Sequence, residues 1–64
     1  MKVLLRHPRR EKEIEGPLTV RQLLEKMAIV PESVLVIRGN ELLLSTDRLE
    51  ESDVVELRPV ISGG

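Results

Sequence analysis

Hydrophobic residues at every second position predict a β-strand at each end of the chain. Residues 1–7 and residues 53–60 both alternate with the two-residue period of a half-buried strand. The residues expected to face inward from these two strands are Met1, Val3, Leu5, Val55 and Leu57. The intervening positions, including Leu4, Glu56 and Arg58, are then expected to face away from the core.

The segment after the first strand predicts an antiparallel hairpin. Pro8-Arg9-Arg10 is typical of a turn, and residues 11–15 form a polar second strand whose apolar residue is Ile14. Arg9 and Arg10 beside glutamates are interpreted as hairpin charges that discourage edge pairing, not as a nucleic-acid patch. Gly16-Pro17 breaks the strand.

A helix is predicted to begin at a capping box. Thr19 and Gln22 have the spacing at which each side chain can satisfy a free backbone N–H of the other. The apolar residues that follow at helical spacing are Val20, Leu23, Leu24 and Met27. Pro31 stops the helix, which is expected to extend a few residues beyond Met27.

Two further strands complete a mixed sheet. Residues 34–37 are rich in β-branched side chains, Gly39-Asn40 supplies a turn, and residues 41–44 form a short strand. Residues 45–48 are interpreted as a loop or a single helical turn that Leu49 anchors. The order β-β-α-β-β-β predicts a two-layer α+β domain of the β-grasp type, with the first and last strands as parallel central neighbours.

Composition excludes several kinds of site. Ten Lys and Arg balance 11 Asp and Glu, and no aromatic residue is present, so direct nucleic-acid binding is not expected. The absence of Cys and the single histidine, His7, leave no disulfide and no set of zinc ligands. No apolar run reaches the length of a membrane span or a signal peptide, so we expect a cytoplasmic protein without a membrane partner.

The chain ends in Gly63-Gly64 directly after the last predicted strand. Glycine can pass where no side chain would fit, so this ending suits insertion into a narrow channel. Residues 61–64 reach roughly 13 Å when extended, at about 3.3 Å per residue. We therefore divide the chain into a domain of residues 1–60 and a flexible reactive tail of residues 61–64. The carboxylate of Gly64 is the candidate reactive group, and Gly63 supplies flexibility.

The whole chain resembles the ubiquitin-like sulfur carriers of the ThiS/MoaD type. The stretches that carry the resemblance are Val3-Leu4-Leu5, Thr19-Val20-Arg21-Gln22-Leu23-Leu24, the strand-turn-strand of residues 34–42, and residues 53–64. Within this group the ending Pro59-Val60-Ile61-Ser62-Gly63-Gly64 and the basic hairpin of residues 6–10 are most similar to the carrier that serves tRNA 2-thiolation.

The resemblance implies a chemistry and a set of partners. The chain would be no enzyme but the co-substrate of an E1-like adenylating enzyme, which uses ATP and magnesium to activate Gly64. A cysteine desulfurase or rhodanese-type protein would supply sulfur for a terminal thiocarboxylate. A tRNA thiolase, or else thiazole or molybdopterin synthase, would accept that sulfur. The carrier itself would bind no cofactor and no metal.

Two other functional classes remain open. A ubiquitin-like modifier would also be adenylated at Gly64 but would be conjugated to lysines, and Lys2, Lys12 and Lys26 are candidate acceptors in such a system. A non-reactive adaptor would bind through its sheet alone.

A partner surface is expected on the outer side of the sheet, because exposed apolar patches are common docking sites. The residues assigned to this partner surface are Leu4, Val36, Arg38, Arg58, Val60, Ile61 and Ser62. The assignment requires Leu4 and Val36 to point away from the helix.

Overall fold

A computed structural model describes residues 1–6 and 9–60. The strands are β1 (Lys2–Leu5), β2 (Arg10–Glu13), β3 (Leu18–Thr19), β4 (Val34–Arg38), β5 (Glu41–Leu43), β6 (Arg48–Leu49) and β7 (Val54–Pro59). Helix α1 spans Val20–Lys26, and a 3₁₀ turn spans Pro31–Ser33. The predicted order of major elements is confirmed, with two short strands added.

The main sheet has the strand order β2-β1-β7-β4-β5. Strands β1 and β7 are parallel, and β7 is antiparallel to β4 on its other side. The two strands farthest apart in sequence are therefore central neighbours, as predicted. Strands β3 and β6 form a separate antiparallel pair that the sequence pattern did not predict.

The core is built from aliphatic side chains and one methionine. Its buried members are Met1, Val3, Leu18, Val20, Leu23, Leu24, Val36, Leu43, Leu49, Val55 and Leu57. Leu49 is fully buried, which confirms its role as the anchor of the preceding loop. Met27 and Ile14 pack against this core while remaining partly exposed.

Helix α1 starts as predicted and ends earlier than predicted. The Thr19 hydroxyl accepts from the Gln22 N–H at 3.1 Å, and the Gln22 side chain accepts from the Thr19 N–H at 2.9 Å. At the other end Ala28 has φ +56°, the Ile29 N–H donates to the Leu24 carbonyl, and the Ala28 N–H donates to the Glu25 carbonyl. These two bonds form a Schellman motif, which stops the helix before Pro31 exerts any effect.

The side chains of strand β4 that were expected on the outer face of the sheet lie on its inner face. Val36 is 4% exposed and lies opposite the buried Leu57 and Leu43. The prediction that Val36 points away from the helix is wrong. The physical reason is that residues 34–37 are apolar on both faces, so their own pattern cannot choose a phase. The neighbouring residues Leu35 and Ile37 take the outward positions.

Candidate functional site

The exit point of the tail is fixed by the most supported strand of the sheet. Strand β7 is hydrogen-bonded on both sides, and its register with β4 continues to Val34 opposite Pro59. The Val60 N–H then donates to the Ser33 carbonyl at 2.9 Å. The main chain is thus held through residue 60. The site residues Ile61, Ser62, Gly63 and Gly64 lie outside the described residues, and their role stays a prediction.

The outer face of the sheet carries an apolar patch. Because residues opposite each other in register share a face, Leu4 and Ile37 both lie with Glu56, and Leu42 lies with Ile37. Leu35 lies opposite Arg58 on the same face and is 44% exposed, while Leu42 is 59% exposed. We call Leu4, Leu35, Ile37 and Leu42 the outer patch.

An ion network lies within this face. The Glu56 Oε2 accepts from the Arg6 Nε at 2.7 Å and from the Arg58 Nε at 2.9 Å. The hydrogen bonds from Arg58 and then Arg6 hold the pKa of Glu56 below its usual value. Glu56 is therefore ionised at neutral pH, and it holds two guanidinium groups side by side.

Of the predicted partner residues, Leu4, Arg58 and Val60 lie on or beside this face. Leu4 is half-buried and outside the core, Arg58 belongs to the ion network, and Val60 is 46% exposed. The structure thus places Arg58 and Val60 in exposed positions and Leu4 in a half-buried one. Whether a partner binds them stays a prediction.

The side chain of Arg38 forms its contacts with other residues of the same chain. It lies two residues after Val36 in β4 and therefore shares the inner face of that strand. One Arg38 nitrogen is 3.1 Å from Asp53 Oδ2 and donates to the Arg48 carbonyl, and the other is 3.3 Å from Glu41 Oε1. Its expected place at the rim of the outer surface is therefore wrong.

Asp53, which is paired with Arg38, also accepts a hydrogen bond from the main chain. Asp53 Oδ2 accepts a hydrogen bond from the Glu50 N–H at 2.7 Å. This hydrogen bond and, to a smaller extent, the one from Arg38 lower the pKa of Asp53. The cluster ties the β4–β5 hairpin to the loop before β7. Its geometry fits a structural role.

The outer residues that sequence reasoning missed are Leu35, Ile37 and Leu42. The predicted inward facing of Leu57 was the information from which the outward facing of these three residues could have been inferred. Once β4 is paired with β7 so that Val36 lies opposite Leu57, the residues on either side of Val36 must face outward. The register, which the sequence pattern alone does not give, was the missing information.

Within the described ranges, no group of three or more acidic, histidine or cysteine side chains is arranged to hold a metal ion. The helices of the described part are also too short to cross a membrane.

Comparison with known proteins agrees with the geometry. Residues 4–64 match the model of the ThiS family. The chain is 43% identical to the sulfur carrier protein TtuB of Thermus thermophilus, over 65 aligned positions that cover all of both chains. The family match confirms the predicted ubiquitin-like β-grasp fold and the expectation of a carrier in place of an enzyme. The chain belongs to the ThiS family.

Proposed function

We propose that this sulfur carrier is activated at the carboxylate of Gly64 and then carries sulfur there as a thiocarboxylate. A carboxylate is a poor electrophile, so activation must come first. One carboxylate oxygen attacks the α-phosphate of ATP, pyrophosphate leaves, and an acyl-adenylate forms. The terminal sulfur of a persulfide attacks the acyl carbon and AMP leaves. The product is an acyl disulfide that links the carrier to the cysteine sulfur of the donor. A second thiolate then attacks that cysteine sulfur, forms a disulfide with it, and releases the thiocarboxylate.

The observation that carries this proposal is the support of the last strand. Strand β7 pairs with β1 from Val54 to Leu57 and with β4 from Glu56 to Pro59. The Val60 N–H is still bonded to the Ser33 carbonyl. The final four residues therefore continue from a rigid point at the end of the sheet. A rigid exit limits the orientations that a partner must select, which lowers the entropic cost of placing the terminus in an active site.

The outer patch supports docking of the adenylating enzyme on this face. Leu35 and Leu42 are exposed, and Val60 lies where the tail begins. An enzyme that covers this face would bury aliphatic side chains while it receives the tail. Leu4, Arg58, Val60, Ile61 and Ser62 remain in the proposed contact surface, and Leu35, Ile37 and Leu42 replace Val36 and Arg38.

The pathway that we propose is tRNA 2-thiolation. Full-length similarity to TtuB at 43% identity supports this pathway over thiazole and molybdopterin synthesis. The partners would then be an adenylating enzyme that uses ATP and magnesium, a cysteine desulfurase or rhodanese-type sulfur source, and a tRNA thiolase as acceptor.

The test is intact mass spectrometry after incubation with the adenylating enzyme, ATP, magnesium and the sulfur source. We expect one terminal oxygen to be replaced by sulfur. Gly64→Ala should keep the far-UV circular dichroism of the wild type but slow activation, because the added methyl group must enter the same channel. An unmodified wild-type terminus would contradict the proposal.

The same mass analysis separates the alternatives. Branched peptides on other proteins without terminal sulfur would indicate a protein modifier. Deletion of Gly63 and Gly64 distinguishes the adaptor, because an adaptor would retain its binding partner and activity and a carrier would lose all sulfur transfer.

A further inference from the structure

We propose that four arginines at the tail end of the sheet bind carboxylates of the adenylating enzyme and steer the tail toward its active site. The four residues, here called the arginine cluster, are Arg6, Arg9, Arg10 and Arg58. This inference rests on the proposed function, because it assumes that such an enzyme receives the terminus.

The topology brings these residues to one end of the molecule. Strands β1 and β7 are parallel, so the end of β1, where Arg6 lies, is beside the end of β7, where Arg58 lies. Arg10 begins β2 opposite Leu5, the last residue of β1, and Arg9 lies in the adjoining turn. Strand β2 is two strands from β7, or about 10 Å at the usual strand spacing.

The cluster is accessible to a partner. The side chains of Arg6 and Arg58 are 52% and 53% exposed although both contact Glu56. Arg9 and Arg10 are exposed, and within residues 1–6 and 9–60 neither forms an ion pair. The four guanidinium groups carry four positive charges, and the Glu56 carboxylate, which contacts two of them, offsets one.

Acidic residues predominate at the opposite end of the sheet. Those in the loop before β7 are Glu50, Glu51 and Asp53, and those at and beyond the far end of β2 are Glu13 and Glu15. The chain carries a formal net charge of −1, so the arrangement is a dipole and not a uniformly basic surface. A dipole whose positive end lies at the edge of the sheet where β7 ends would orient the carrier correctly as it approaches an acidic entrance.

The observations favour an acidic protein surface over RNA. Arg58 lies opposite the exposed Leu35, so the cluster meets the outer patch at Arg58. Arg10 lies opposite Leu5, on the other face at the same end of the sheet. Arginine beside exposed aliphatic side chains is typical of protein interfaces. RNA sites commonly stack bases on aromatic side chains, and the chain contains none.

The test compares association rates of two charge-reversal variants with the adenylating enzyme. The test variant is Arg9→Glu with Arg10→Glu, which leaves the Glu56 network intact. The matched control is Arg21→Glu with Lys26→Glu, two exposed cations of α1 that give the same change in net charge and form no ion pair within the described residues. Association is measured without ATP by surface plasmon resonance at several salt concentrations, and adenylation is measured separately as pyrophosphate release.

We expect the test variant to associate about tenfold more slowly at low ionic strength, with the difference shrinking below about twofold near 0.5 M salt. The control should stay within about twofold of wild type at each salt concentration. Equal rates for the two variants would overturn the inference while leaving the proposed function standing. An enzyme that binds through the cluster yet never adenylates Gly64 would instead overturn the proposed function alone.

RNA binding is examined with the same variants and a labelled tRNA by fluorescence anisotropy. If the wild-type chain binds tRNA, and the test variant loses this binding but associates normally with the enzyme, the cluster is an RNA site. That result would overturn the inference. Wild-type and variant chains that all fail to bind tRNA would support the protein-binding assignment.

Discussion

Two neighbouring residues of β4 provide a sharp test of the facing of the sheet. We predict that Val36→Asp unfolds the domain at neutral pH, whereas Leu35→Asp leaves it folded. Val36 is 4% exposed and Leu35 is 44% exposed. The two variants introduce the same carboxylate one residue apart on opposite faces, so each is the control for the other.

The magnitude follows from burial. Removing the Val36 side chain from the core forfeits about 1.5–3 kcal/mol. A carboxylate at that position also costs several kcal/mol, because the buried aliphatic neighbours offer it no cation and no donor. The free energy of unfolding of a 64-residue domain is roughly 3–10 kcal/mol at 0.05–0.15 kcal/mol per residue. The loss of side-chain burial and the cost of the buried carboxylate together equal most or all of this free energy of unfolding.

Leu35→Asp should cost about 1 kcal/mol or less. Its side chain is substantially exposed, and its cross-strand neighbour Arg58 is a favourable partner for a carboxylate. The new carboxylate removes part of the outer patch, so binding to the adenylating enzyme should weaken although the fold persists. Loss of binding in a folded Leu35→Asp protein would thus support the outer patch as the docking surface.

The assay is urea denaturation followed by far-UV circular dichroism. Fluorescence and near-UV signals are not useful, because the chain contains no aromatic residue. Low pH should partly rescue Val36→Asp relative to wild type, since burial raises the pKa of the new carboxyl group in the folded state and protonation removes its charge. A cooperative Val36→Asp transition within about 1 kcal/mol of wild type would show that the assigned facing of β4 is wrong.

Three further predictions concern stability, measured by the same denaturation experiment. Ala28→Gly should stabilise the domain by up to about 1 kcal/mol, because φ is +56° there and glycine relieves the strain; a destabilised variant would contradict the Schellman motif. Thr19→Ala should cost about 1 kcal/mol through loss of the cap, and an unchanged midpoint would show that the capping box contributes nothing. The lowered pKa of Asp53 means that its stabilising effect is present above its ordinary value of 3.8 and is lost as the pH falls through the lower folded value. Asp53→Asn should therefore reduce stability at neutral pH and flatten the acid decline, whereas an unchanged decline would assign it to other carboxyl groups.

Local signals in the sequence determined the elements whose causes are local. The capping box joins Thr19 to Gln22 across three residues, and its two hydrogen bonds form as the pattern predicts. The first and last strands alternate clearly, so the inward facing of Val3 and Leu57 is encoded in their own neighbours. The central parallel pairing of the first and last strands also followed from the sequence, since both have one buried face and lie at the two ends of the chain.

Only the tertiary structure decided the facing of β4 and the position of Arg38. Both faces of residues 34–37 are apolar, so the pattern of these residues does not fix which face is buried. Arg38 shares the inner face with Val36, and Asp53 and Glu41, contributed by other segments, satisfy its charge at the edge of that face. The early stop of α1 at Ala28 has a similar origin, since no glycine marks the end of the helix. A residue's own sequence neighbours define its periodicity, but the phase of a two-sided strand depends on which partners the fold places opposite it.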